Sequence, residues 1–159
     1  MKITVVAVGK IKEKFYTQAI EEYTKRLSRY CKLDIIQLQD EKTPDDASPR
    51  QEQQIKEREG ERILHAIPED AYVIALAING KVYDSPGLAQ HLQQLMTGGK
   101  SHIAFIIGGS LGLSEQVLKH ANEKLSFSAM TFPHQLMRVI LLEQIYRSFR
   151  IINHEPYHK

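Results

Sequence analysis

The sequence is short of the features that would commit it to several large classes. Its 159 residues hold one cysteine, Cys31, which excludes an intramolecular disulfide and a zinc site built from the cysteines of one chain. As a lone thiol it reads as a small semi-buried side chain rather than a nucleophile. No uncharged apolar run reaches the roughly 18 residues of a membrane span. Internal repeats and low-complexity tracts are missing too. The charge excess is slight: 21 Lys and Arg against 19 Asp and Glu give a formal +2, too little to announce a nucleic-acid partner through bulk attraction. At the start, Met1-Lys2 is followed by residues that suit a strand better than a signal-peptide core, so no export signal is expected. A soluble, cytoplasmic protein is the expectation.

What is present fits an ordinary globular chain. Hydrophobic residues make up 42% and charged residues 25%, enough to fill a core, and the length suits one domain over residues 1–159. The charge is unevenly spread. Residues 1–80 carry 13 basic against 14 acidic residues and residues 81–159 carry 8 against 5, with six of the seven histidines. The second half is therefore the more basic, a weak pointer to an RNA-facing surface.

Hydrophobic patterning alternates between two periods. Ile3–Val8, closed by Gly9, is a β-branched apolar run suited to a strand buried on both faces. Tyr16, Ile20, Tyr23, Leu27 and Tyr30 then recur at steps of four and three, the stripe of an amphipathic helix. Leu33–Leu38 predicts a second strand. A polar loop over Gln39–Arg50 and a solvent-facing helix over Gln51–Ala66 follow. Tyr72–Ile78 predicts a third strand ending in a tight turn at Asn79-Gly80. Ser85-Pro86 predicts the start of a helix running to Met96 and ended by Gly98-Gly99. His102–Ile107, a short helix over Ser114–His120, a strand over Leu125–Ser128 and a long helix opened by Pro133 complete the chain. Such alternation argues for an α/β fold with a mainly parallel sheet flanked by helices. Ligands of such sheets bind beyond the carboxyl ends of the strands, which directs attention to Leu76, to the loop at Gly108 and to the segment after Leu125.

Two segments there are candidates for chemistry. Gly108-Gly109-Ser110-Leu111-Gly112 places glycines where a strand gives way to a helix, so that backbone can approach a bound group. It matches neither the dinucleotide nor the P-loop pattern. In the stretch Leu125–Arg138, small hydroxylated residues alternate with large apolar ones before a helix start, which offers backbone hydrogen-bonding groups and an apolar wall together. The final helix is apolar nearly all round, from Leu136 to Tyr146. One small sheet cannot cover all of it, so a second subunit is expected.

Taken together, these segments carry a resemblance. The opening Met1-Lys2-Ile3-Thr4 through Val8-Gly9-Lys10, Ile107–Ser110, Leu125–Ser128, Met130–Gln135, Arg138, Glu143–Arg147 and the ending Pro156–Lys159 resemble the RlmH (YbeA-like) family of ribosomal RNA large subunit methyltransferases in the SPOUT superfamily. The match spans essentially the whole chain. The resemblance implies an α/β-knot with a deep C-terminal trefoil knot, a homodimer, and S-adenosyl-L-methionine (AdoMet) as methyl donor with no metal. Its cofactor contacts fall on Leu76, Gly108 and Phe127, Ser128, Ala129, Met130, Thr131 and Phe132. The reaction it implies is methylation of N3 of a pseudouridine in the helix 69 region of 23S rRNA, on the assembled 70S ribosome. Neither DNA nor a membrane is an expected partner.

Methyl transfer to an imide nitrogen needs alignment and a group that takes the proton or stabilises the anion. The resemblance places that role in the tail, with Tyr157 and His158 positioning or deprotonating the base and Lys159 facing the RNA backbone or the anion. His134 and Arg138 are second-rank candidates. The same tail spells His154-Glu155-Pro156-Tyr157-His158, a literal H-E-x-x-H. Zinc chemistry would need both histidines on one helical face, and Pro156 disfavours that geometry. The competing readings are a SPOUT methyltransferase acting on another RNA such as tRNA, and a ribosome-binding factor without catalysis.

Overall fold

The computed structural model describes residues 1–159 as one five-stranded, wholly parallel sheet with helices on both faces. Along the chain run β1 (Lys2–Val8), α1 (Lys14–Leu27), β2 (Lys32–Leu38), α2 (Pro49–Ala66), β3 (Tyr72–Val82), α3 (Ser85–Thr97), β4 (His102–Ile107), α4 (Glu115–His120), β5 (Glu123–Ser126) and α5 (His134–Ile152). The strand order is β2-β1-β4-β3-β5. β1 and β4 sit inside the sheet and are almost wholly buried, which is why both are continuous apolar runs rather than alternating ones.

Strand alternation divides the core in two. Ile3, Val5, Ile103 and Phe105 point toward α1, α3 and α5, where Leu141, Leu142, Ile145 and Phe149 of α5 join them. Val6, Val8, Val73 and Ile106 point to the other face, against Ile63 of α2 and Val117 of α4. Because α5 lies between α1 and α3, its Leu141, Leu142 and Ile145 are completely enclosed. Truncating any of them to alanine is expected to cost about 2–5 kcal/mol.

The α/β class and parallel sheet expected from the pattern are present, and the departures are local. Asn79-Gly80 makes no tight turn. β3 runs through it to Val82, and the pairing with β5 slips so that Leu76 and Lys81 both face Leu125. Residues 77–80 bulge out of register. Gly80 is needed there, since a Cβ would come within 2.7 Å of the Lys124 and Leu125 backbone. α2 begins at Pro49, inside the expected loop, because Ser48 forms a capping box with Gln51. α3 is capped by Asp84 rather than Ser85. β5 lies at Glu123–Ser126, two residues before the expected span. Tyr30 lies beyond the end of α1 at Leu27, held by stacking on Phe149. Although α2 is polar, it is not wholly solvent-facing, because Glu59 is 4% exposed.

Candidate active site

The carboxyl edge of the sheet opens into a cavity of about 830 Å³, formed where β3, β4 and β5 give way to the segments that follow them. Its wall is made by the β3 bulge, the glycine loop after β4, the segment after β5 and the first turn of α5, with Leu118 of α4 beside them. It is the volume of a small-molecule site.

The glycine loop is a tight turn closed by the Gly112 N–H on the Gly109 carbonyl at 3.1 Å. Gly112 has φ +86°, a conformation that L side chains rarely adopt. At Gly108 a Cβ would meet the Gly112 backbone and Leu113 at 2.9 Å. Behind Gly109 stands Glu59, whose carboxylate would lie 3.0 Å from a Cβ there. Glu59 also accepts the Glu41 N–H at 2.9 Å. Burial pushes its carboxyl above the ordinary range.

The segment after β5 is shaped by its hydroxyls. The Ser126 hydroxyl donates to the Ser128 carbonyl, and the Ser128 hydroxyl accepts from the Met130 N–H. The chain folds back, placing Phe127, Thr131 and Phe132 on the cavity wall. Met130 also reaches the wall yet is 73% exposed, an apolar side chain at the mouth. Leu76, Gly108 and Ser128 line the cavity as well, whereas Ala129 is exposed and stands off the wall.

Sequence reasoning missed Ala77, Ile78 and Asn79, which the bulge carries into the wall. The Asn-Gly dipeptide did signal an irregular backbone there. Sequence reasoning missed the Glu59 support too, for which the sequence carried no local signal. His134 is the one titratable side chain on the wall. Burial, helped by Arg138, lowers its pKa, so the ring is neutral at pH 7. Such a wall of backbone groups, glycines and apolar side chains can hold a flat heterocycle and an aliphatic chain, and the close turn of the loop requires glycine at 108, where a Cβ would strike the Gly112 backbone.

The tail is elsewhere. After α5 ends, His154 takes φ +55° and the chain turns back along the outer face of the helix. Glu155 is bound by Arg150 and by the Tyr30 hydroxyl, each at 2.8 Å. Tyr157 donates to Glu143 at 3.1 Å and packs edge-on to Tyr146, with Arg147 over its ring. Burial, followed by the Glu143 charge, pushes the Tyr157 phenol up to about 12, so at neutral pH it is a donor and not a base. The Arg147 guanidinium lies 3.2 Å from His158 Nδ1. A guanidinium only donates, so Nδ1 is the acceptor and the ring proton sits on Nε2. Lys159 is exposed.

Tyr157, His158 and Lys159 are thus gathered along α5, but none lines the cavity of their own chain. Glu143 lies nine residues beyond His134, about 14 Å along the helix at its usual rise. His154 and His158 are off the helix, and no three His, Cys, Asp or Glu side chains gather as metal ligands. No helix is long and apolar enough to cross a membrane.

Comparison with known proteins agrees with this geometry. A family model described as "Predicted SPOUT methyltransferase" matches residues 1–158. Proteins named ribosomal RNA large subunit methyltransferase H from Clostridium novyi and Clostridium beijerinckii are 62% and 60% identical, each alignment covering all of both chains. A solved structure, described as a probable methylase family protein from Haemophilus influenzae, superposes with TM-score 0.55 over 99% of this chain and 70% of that one. At 12% identity it speaks for the fold alone.

Proposed function

The chain belongs to the SPOUT methyltransferase family, and from that premise we propose that it is an AdoMet-dependent enzyme that methylates N3 of a pseudouridine in the helix 69 region of 23S rRNA. Its substrate on this reading is the assembled 70S ribosome. It acts in the cytoplasm as a homodimer of single-domain subunits, each with the trefoil knot implied by the resemblance. The observation that carries the reading is the convergence of Leu76, Gly108, Phe127, Ser128 and Met130–Phe132 on one cavity of a size to take AdoMet. The relatives' name supplies the ribosomal target.

The methyl donor supplies a methyl group already activated on a sulfonium. The protein's share is to hold, orient and exclude water. Gly108 and the loop to Gly112 present backbone to the donor. Phe127, Phe132 and Met137 give an apolar wall, and Asn79, Ser110, Ser128 and Thr131 place polar side-chain groups on it. His134, neutral and partly buried, stays uncharged beside a cationic group, which avoids repulsion.

For the nucleobase, the tail groups are donors: the Tyr157 hydroxyl, His158 Nε2–H and the Lys159 ammonium. Donors suit stabilisation of the pseudouridine N3 anion better than abstraction of its proton. Since the tail does not reach the cavity of its own chain, it serves the partner's in this proposal. Leu136, Val139 and Ile140, apolar yet incompletely covered on α5, support a partner packed along that helix. A monomer in sedimentation at micromolar concentration would contradict the dimer.

Methyl transfer tested on 70S ribosomes, free 50S subunits, naked rRNA and tRNA is the deciding experiment. The 70S particle is the expected substrate, with no transfer when uridine replaces the pseudouridine. Transfer to tRNA alone would move the enzyme to another RNA, and no AdoMet binding in calorimetry would leave a ribosome-binding factor.

A further inference from the structure

Arg138 is the largest fully buried side chain in the protein, 1% exposed, and it has no counter-ion. Its guanidinium donates to the Gly9 carbonyl and to Gln37 Oε1, each at 3.0 Å, and both acceptors are neutral. Its Nε has no partner at all. One turn earlier on α5, His134 Nδ1 is also buried without a partner, and its ring packs so closely on Gly9 that a Cβ there would come within 2.5 Å. These two orphaned groups flank the start of a 19-residue helix. That start is uncapped: Pro133 provides no side-chain acceptor, so the first-turn N–H groups point out unsatisfied at the positive end of the helix dipole.

The loop between β1 and α1 brings further positive charge to the same corner. The Gln135 side chain accepts the Lys12 N–H at 2.9 Å, and the Ile11 N–H rests on Gln37, the acceptor that Arg138 also uses. The loop is thereby pinned across the helix start with Lys10 and Lys12 exposed on it. The acidic group that opposes this charge at His134 is Asp40, which is itself exposed. His134 and Pro133 are also part of the cavity wall, so the corner adjoins the place where the target nucleotide would sit.

We propose that this corner is a phosphate subsite, which takes a backbone phosphate of the RNA strand beside the nucleotide presented to the cavity. The inference rests on the RNA substrate proposed above. The first-turn N–H groups of α5 and the two lysines make the contacts, as helix starts commonly do with anions. Arg138, sealed under the Gly9 carbonyl, contributes charge from beneath and gains the counter-ion it lacks. RNA phosphate is favoured over the carboxylate of the methyl donor because Lys10 and Lys12 stand on an exposed loop outside the cavity wall, along which a polymer passes.

The double variant Lys10→Ala/Lys12→Ala alters exposed side chains and leaves the core intact. Inorganic phosphate is titrated into the wild-type and variant proteins while the Gln135 and Leu136 amide resonances are followed. Millimolar phosphate should shift both in the wild type and markedly less in the variant. With 70S ribosomes, the variant should raise KM by about tenfold, more than it lowers kcat, and flatten the log–log salt dependence by about one to two units. AdoMet affinity should not change. Absence of any amide shift in the wild type at tens of millimolar overturns the subsite. Phosphate binding with unchanged KM and salt slope overturns its assignment to RNA, as does competition between phosphate and AdoMet. If the wild type methylates no ribosome, the proposed substrate fails, and the phosphate titration still decides the subsite by itself.

Discussion

The two ends of α5 are built on opposite principles. At its start, the cavity wall is backbone, glycine and apolar side chain, with His134 as its single titratable group. At its end, the tail is held by side-chain charges and aromatics: Glu143, Arg147, Tyr146 and Arg150 engage Tyr157, His158 and Glu155. A wall of main chain is set by the fold and changes little when a surface residue does. A latch of ion pairs and rings on a chain terminus depends on each member, and it can release. In the proposed function, the constant task, holding a small donor, belongs to the sheet edge, and the variable task, meeting a large substrate, to the tail.

The strongest way to break that division is to remove the tail. Without residues 157–159, methyl transfer to ribosomes should fall by about a hundredfold or more, the scale of a misplaced reactant, while AdoMet affinity in calorimetry stays within about twofold. Loss of both together would mean the two ends form one site. The converse change is Gly108→Ala, whose Cβ collides with the Gly112 backbone. AdoMet binding should weaken by about tenfold or more, roughly 1.4 kcal/mol, with the tail still docked.

Smaller changes sharpen the contrast. Glu143→Gln removes the charge facing Tyr157 and Arg147, so transfer should drop by about tenfold, the worth of one hydrogen bond to a charged group. The Tyr157 phenol should then ionise below its present value of about 12, which a spectrophotometric titration reads directly. Smallest is Glu59→Gln, behind the glycine loop. Burial raises the Glu59 carboxyl, so the folded state binds that proton more tightly than the unfolded chain. Stability therefore declines as pH rises from the ordinary carboxyl range through the raised value, and the cost is complete above it. The amide keeps an acceptor for the Glu41 N–H, so the melting temperature at pH 8 should rise by about a few degrees, with less gain near pH 4. A fall at both pH values would show that the carboxylate itself holds the loop.

Much of the fold was legible because its signals are local. Two buried central strands must be continuous apolar runs, and Ile3–Val8 and His102–Ile107 are. An amphipathic stripe marks α1. The glycine loop and the hydroxyl-apolar alternation before α5 identified the cavity, with Leu76, Gly108 and Phe127 on its wall. Asn79-Gly80 misled because the dipeptide reports a backbone irregularity without saying which kind. Pairing with β5 turned an expected turn into a bulge, and with it brought Ala77–Asn79 to the site.

The tail and the Arg138 corner show the other limit. Only the resemblance singled out Tyr157, His158 and Lys159, since nothing in a short polar terminus says where it docks. Its place on α5 depends on partners at positions 30, 143, 146, 147 and 150. Likewise, Arg138 in sequence is an interruption in an apolar helix. Its burial without a counter-ion follows from Gly9 and Gln37, some 100 to 130 residues away.

By itself, the sequence determined the order of strands and helices and the loops on which a ligand site could be built, because periodicity and glycine placement act over a few residues. The tertiary structure alone decided which charges are paired, which are buried alone and how far the tail lies from the cavity. Those depend on distances between segments remote in the chain, and electrostatic energies are set by such distances and by exclusion of water, neither of which local pattern records.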